Sequence, residues 1–330
     1  MSPPRPPRRR WLQAAGAGSA SGGSLFGFQV TFFRSRTGLG QDPGQVGRFV
    51  PRQLLFAHAA LTDVAGGRHL HAQRLLRWSG DEALPEARAR RADTDVAVGP
   101  WVLQRQGPTA GYQALLAAPE AGFALRLQLQ PGQPLLLQGQ AGFSRKGPLP
   151  SQASHYYTQP QLAVQATVTL AGSTKAMAGK GWLDHEWSDD LLAPGATGWD
   201  WIGINLADGG ALTAFVLRRA DGSVLWAGGS HRPAGGAVRN FAPAEVAFEP
   251  LREWRSPATG ARYPVAWRIR TPAGPFELQA LLDAQELDSR SATGTVYWEG
   301  LAELLAPGGA RAGLGYLEMT GRWQPLRLRI

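Results

Sequence analysis

The sequence predicts an all-β protein, a sandwich or barrel with little helix, and three observations carry that expectation. Apolar and polar residues alternate with period two through segments such as FGFQVTFFRSR (26–36), the pattern of a strand with one buried face. Gly 42 and Pro 25 among 330 residues favour frequent turns over long helices. The strand-like runs are short and regularly punctuated by turn residues, as in a sandwich or barrel.

The elements follow in order. Residues 1–24 read as a disordered leader or a mistaken start: RRRWLQ (8–13) resembles a twin-arginine export signal, but AAGAGSASGG (14–23) is barely apolar. Strands are expected at 26–36, at LLFAHAALTDV (54–64), at FALRLQLQ (123–130) and at LAVQATVTL (162–170). Further strand pairs are expected across the turns Ala-Asp-Gly-Gly (207–210) and Ala-Asp-Gly (220–222), and in YPVAWRIRTPAGPFELQALL and LGYLEMTGRW. DEALPEARARRAD (81–93) is the one helix-like stretch and reads equally as a charged loop. Tyr112 and Phe123 echo Tyr263 and Phe276 about half a chain later, as two related β-domains would. Gly, Ser and Ala interrupt the strand pattern at 169–181, which places the expected domains at 25–172 and 173–330.

Composition narrows the function. The net charge is +9, yet only Arg5, Arg8, Arg9 and Arg10 cluster, so no nucleic-acid partner is expected. Cys 0 excludes thiolate chemistry and disulfides. No apolar run reaches the roughly 18 residues of a membrane-spanning helix. No GxSxG, HExxH, P-loop or dinucleotide fingerprint occurs, so no cofactor is expected. His69 and His71 share a strand face but lack a third ligand, so no metal site is expected either.

The chemistry concentrates in GKGWLDHEWSDD (179–190). On a strand, Asp184 and Glu186 point one way and His185 and Trp187 the other. A carboxyl buried beside Trp182 or Trp187 has a raised pKa and becomes a usable proton donor. Downstream, GWDWIG sets Asp200 opposite the common face of Trp199 and Trp201. Tyr156 in SHYY, Tyr297, Trp298 and Glu299 in VYWEG, and Tyr316 and Glu318 in GYLEMTG add acids and aromatics. Candidate catalytic residues are therefore Asp184, His185, Glu186, Trp187 and Asp200. Candidate ligand-binding residues are Tyr156, Trp182, Trp199, Trp201, Tyr297, Trp298, Glu299, Tyr316 and Glu318. An aromatic-walled pocket with a few polar groups is the usual make-up of a small-molecule site. His58 in FAHAALTDV and His155 in SHYY read as core histidines that could instead serve such a pocket. Asp189 and Asp190 read as a solvated turn.

FGFQVTFFRSR, FAHAALTDV, SHYYTQP, GWLDHEWS, GWDWIGINLADGGALTAFVLRRADG, YPVAWRI, AQEL, YWEG and GYLEMTGR occur in that order over 26–322. Together they resemble the AttH-like secreted hydrolases, relatives of carotenoid 1,2-hydratase. The resemblance implies two lipocalin-like β-barrel domains packed together, a periplasmic or secreted location, and an apolar, isoprenoid- or lipid-like ligand. It implies either a hydratase or lyase-like acid catalyst, less readily a hydrolase, or a carrier without chemistry. His185 and Trp187 match the His-x-Trp of the hydratase branch. That branch's tyrosine and aspartate after the tryptophan segment have no match in ALTAF (211–215), which leaves the proton to Asp184, Glu186 or Asp200. The family's opening EWWY strand has only Trp11 as a counterpart, so either the first barrel lacks its first strand or the start of the chain is mistaken, the second being the favoured reading because a barrel without that strand would expose an unpaired edge.

Overall fold

A computed structural model describes residues 9–20, 23–39, 50–107, 111–189 and 192–326. The chain builds two antiparallel sheets, and the only helical pieces among the described residues are two three-residue 3₁₀ turns, Pro119–Ala121 and Pro243–Glu245.

The first sheet takes β1 (Arg9–Ala20), β2 (Leu25–Arg36), β3 (Gln53–Asp63), β4 (Arg68–Trp78), β5 (Ala87–Ala89), β6 (Asp95–Val98) and β7 (Trp101–Arg105). It continues with β8 (Tyr112–Ala118), β9 (Phe123–Gln130), β10 (Leu136–Leu137), β11 (Phe143–Arg145), β12 (Ala153–Leu170) and β13 (Ser173–Ser188). Its order is β4-β3-β2-β1-β13-β12-β9-β8-β7-β6-β5, with β10 and β11 on β12. The edges β4 and β5 meet again, so the sheet is a nearly closed barrel. Phe28, Val30, Leu61, Leu103, Leu127 and Leu162 fill its inside.

The second sheet takes β14 (Gly198–Leu206), β15 (Ala211–Arg218), β16 (Val224–Arg232), β17 (Arg239–Phe241) and β18 (Ala247–Arg255). It ends with β19 (Arg262–Thr271), β20 (Gly274–Ala280), β21 (Glu286–Ser289), β22 (Thr295–Leu305) and β23 (Arg311–Met319). Its order is β17-β16-β15-β14-β23-β22-β20-β19-β18. In both sheets the first strand pairs with the last, and the next three strands run outward from the first. The Tyr112/Phe123 and Tyr263/Phe276 echo falls on the equivalent hairpins β8–β9 and β19–β20. The architecture is two lipocalin-like all-β units.

Three expectations change. The leader expected at 1–24 is, over 9–20, a strand paired on both sides, with β2 and β13. Its glycines are not linker residues. A Cβ on Gly16 would stand 2.5 Å from the Lys180 carbonyl oxygen, and one on Gly18 would stand 2.6 Å from that of Ala178. Gly16 and Gly18 face Gly181 and Gly179 in register, so glycine opposes glycine where the strands press together. The first barrel thus has its first strand. Second, β13 belongs to the first barrel and not to a unit beginning at 173; the sheets divide between Ser188 and Gly198. The small residues at 169–181 bracket a tight β12–β13 hairpin and not a linker. Third, 81–93 forms turns and the short β5, with no helix.

Candidate functional site

The two sheets meet along their first and last strands, β1 against β23 and β13 against β14. Between them lies a cavity of about 400 Å³. The first barrel supplies Trp11, Gln13, Thr31, Phe33, Phe56, His58, Tyr156, Asp184 and Glu186. The second supplies Trp199, Trp201, Phe215, Tyr297, Glu299 and Glu318, and Lys146 and Trp323 close the sides. Aromatic rings form much of the wall, with Arg10 and Arg34 also lining it, and Phe33 and Phe56 stack at 4.4 Å.

Period two sorts the DHEW segment. Asp184 and Glu186 face the cavity. His185 faces the inside of the first barrel, where it accepts from Arg10 Nε at 2.5 Å and meets the Tyr157 hydroxyl at 2.7 Å through Nδ1. Because Nε2 accepts from the guanidinium, Nδ1 carries the proton and donates to Tyr157. Burial, then Arg10, holds the His185 pKa well below its ordinary value, so the ring stays neutral. Trp187 stacks on His155 at 5.4 Å, on that same side. The structure therefore separates His185 and Trp187 from the two carboxylates they neighbour in sequence.

Four carboxylates remain on the cavity wall, two from each unit: Asp184, Glu186 and Glu299 are buried and Glu318 is half-buried. Asp184 accepts from Thr158 Oγ1 at 2.6 Å and from Trp182 Nε1 at 2.9 Å. Burial outweighs these donors and the Tyr156 hydroxyl, and raises its pKa to about 7. Glu186 is raised by burial and held back by Lys146, whose Nζ lies 3.2 Å away, and by the Ser154 hydroxyl. Glu299 and Glu318 are directly opposed across β22 and β23. Burial raises Glu318 to about 7, although Trp199 donates to it. Glu299 is pushed up by burial and then by Glu318, against the amides of Gln13 and Gln29 that donate to it. A negative charge on one of the pair disfavours ionisation of the other.

The other expected residues divide. Tyr156, Trp199, Trp201 and Tyr297 line the cavity. Trp182 lies behind Asp184 and meets Trp201 edge to face at 6.5 Å. Tyr316 is buried in that same aromatic cluster. Trp298 points into the second core and donates to the Asp283 carbonyl at 2.7 Å. Asp200 is fully buried between Arg218 at 2.8 Å and Arg322 at 2.7 Å, away from the cavity wall. The structure thus holds it as an ion-pair centre off the cavity wall. Asp189 lies in the bend after β13, and Asp190 is outside the described residues.

Sequence reasoning missed Gln13, Gln29, Thr158 and Lys146. Gln13 sits opposite Asp184 in register, on a strand whose Ala, Gly and Ser content reads as a leader in the sequence. His58, weighed above as a core histidine, both packs and serves the cavity: Nδ1 meets the Tyr297 hydroxyl at 2.6 Å and Nε2 the Ser289 hydroxyl at 3.2 Å. Burial pushes its pKa down to about 3, so it is neutral.

Known proteins place this architecture. A solved protein from Nitrosomonas europaea, described as an AttH, is 43% identical, with TM-score 0.86, covering 96% of this chain and 93% of its own. Kievitone hydratase from Nectria haematococca shares the fold at 13% identity and TM-score 0.71, covering 95% of this chain and 89% of its own. No curated protein matches the chain. The AttH-like family pattern matches residues 5–322, and the chain belongs to the AttH-like family.

Proposed function

We propose that the cavity takes an apolar, isoprenoid- or lipid-like small molecule and adds water across one of its carbon–carbon double bonds, with a buried carboxyl giving the proton to carbon. One observation carries this reading: Asp184 faces an aromatic-rich cavity of about 400 Å³, has no ion pair with a cation among the described residues, and burial lifts its pKa to about 7. A carboxyl half-protonated near neutral pH is poised both to give a proton and to take one back. Glu299 and Glu318 form a second proton reservoir on the facing wall. Kievitone hydratase, a hydratase by name, shares the fold, which is consistent with water addition on this scaffold.

The roles follow from the environments. Asp184 is the proton donor. The aromatic rings exclude water from all but the reacting position, which strengthens each polar interaction inside. The Glu299/Glu318 pair takes the proton released by the attacking water. Water's oxygen goes to one carbon and a proton to the other, with no redox partner needed.

The test uses a panel of apolar terpenoid alkenes in ¹⁸O-water. Binding is read by quenching of the cavity tryptophans and chemistry by ¹⁸O in the product. A hydratase incorporates label, and Asp184→Asn lowers the rate about 10²–10⁴-fold, the usual share of a general acid, while quenching persists. Quenching without label in any pair makes the protein a carrier.

A further inference from the structure

Lys146 is the residue the proposed reaction leaves unused. Of 34 basic residues only Lys146, Lys175 and Lys180 are lysines; Lys146 alone of the three lines the cavity, together with Arg10 and Arg34. The chain fixes it from both units. Arg145 spans the Gly147 carbonyl, accepted at 2.9 Å, and packs over the Trp226 ring at 4.9 Å; Trp226 in turn donates to the Arg145 carbonyl at 3.1 Å. The Lys146 amide donates to the Gln152 carbonyl at 2.7 Å, which closes the loop beneath it.

The ammonium is held between two rings, 4.7 Å from Tyr156 and 4.4 Å from Phe215, with its side chain only 12% exposed. Glu186 takes one of its directions. An ammonium has three N–H donors, and Glu186 is its one carboxylate partner, so donor capacity remains on a side chain that lines the cavity between two rings. A desolvated ammonium with a spare donor is a site for an oxygen acceptor on the ligand.

We infer that the ligand carries a carbonyl oxygen bound by Lys146, and that the double bond hydrated is conjugated to that carbonyl. This rests on the reading of the cavity as a hydration site. The placed positive charge opposes a carbocation at this end and favours negative charge on oxygen. Asp184 and Glu186 are two residues apart on one strand face, about 7 Å by strand rise, room for the few atoms between a carbonyl oxygen at Lys146 and the reacting carbons beside Asp184. Water's oxygen bonds to the β-carbon and its proton goes to a cavity carboxylate. The double-bond electrons move to an enolate whose oxygen Lys146 holds. Asp184 then protonates the α-carbon, the carbonyl re-forms, and the net change is addition of one water.

The probe is β-ionone, an apolar conjugated ketone, with its carbonyl-free hydrocarbon counterpart as control. Binding is read by tryptophan quenching, and carbonyl polarisation by a red shift of the ketone's absorption band. Wild type should bind both and red-shift the ketone. Lys146→Met should abolish the shift and weaken ketone binding about tenfold, with hydrocarbon binding unchanged; Lys146→Gln, which keeps a donor without charge, should do likewise. An unshifted ketone bound to wild type, or a shift retained in both variants, overturns the inference but leaves the cavity reading standing. If neither probe binds wild type, the cavity reading itself falls, and this inference with it.

Discussion

Asp184 and Asp200 are both buried aspartates on strands flanked by tryptophans, at 3% and 0% exposure. Their chemistry differs because their partners differ. Asp200 has two guanidiniums within 2.8 Å and is a charge neutralised by charge. Asp184 has only neutral donors, from Thr158, Trp182 and Tyr156, and burial wins. A buried acid is thus a structural rivet or a proton donor according to whether a cation stands beside it, and sequence neighbours do not reveal which.

The largest effect tests the Asp200 side. Asp200→Ala leaves the buried Arg218 and Arg322 without their counter-charge, and should cost about 3–5 kcal/mol in a urea-unfolding midpoint analysis. A loss under ~1 kcal/mol would mean that water or another acid takes over.

The Asp184 side shows in pH dependence. Its folded pKa, near 7, lies above the unfolded value of 3.8, so the folded state binds more protons between them. Its stabilising share is fully present below the unfolded value and is lost as pH rises through 7, at roughly 1.4 kcal/mol per pH unit within the window. Asp184→Asn should therefore flatten the stability profile between pH 4 and 7, although Glu299 and Glu318 still slope the same way. An unchanged profile would show that Asp184 ionises freely.

Trp182→Phe makes a smaller change. It removes the indole donor at 2.9 Å that favours the Asp184 carboxylate. The Asp184 pKa should move further up, with a cost of about 1–2 kcal/mol at alkaline pH. Glu318→Gln should lower the Glu299 pKa, because Glu318 is the next contributor after burial. Carboxyl ¹³C titration of each variant reads these shifts, and either residue moving the opposite way breaks the scheme.

The fold was legible because strands such as β8 and β9 repeat period two, and the hairpin echo named a duplication that the two sheet orders repeat. β1 was illegible because alternating Ala, Gly and Ser carry no hydropathy contrast; its signal is steric, glycine against glycine. For the site, alternation put Asp184 and Glu186 on one face and His185 and Trp187 on the other. Which face meets a cavity depends on the second sheet, and that is invisible in β13 alone. Asp200 looked catalytic because its arginines lie 18 and 122 residues away in the chain. Lys146 stands in an irregular loop, and no local pattern marks it.

The most direct measurement is the carboxyl ¹³C titration of Asp184 in the intact protein, assigned by difference against Asp184→Asn. The account predicts a midpoint near 7. A midpoint at or below about 4, the ordinary value for aspartate, would show an ionised side chain across the physiological range, and the proton-donor role would be lost.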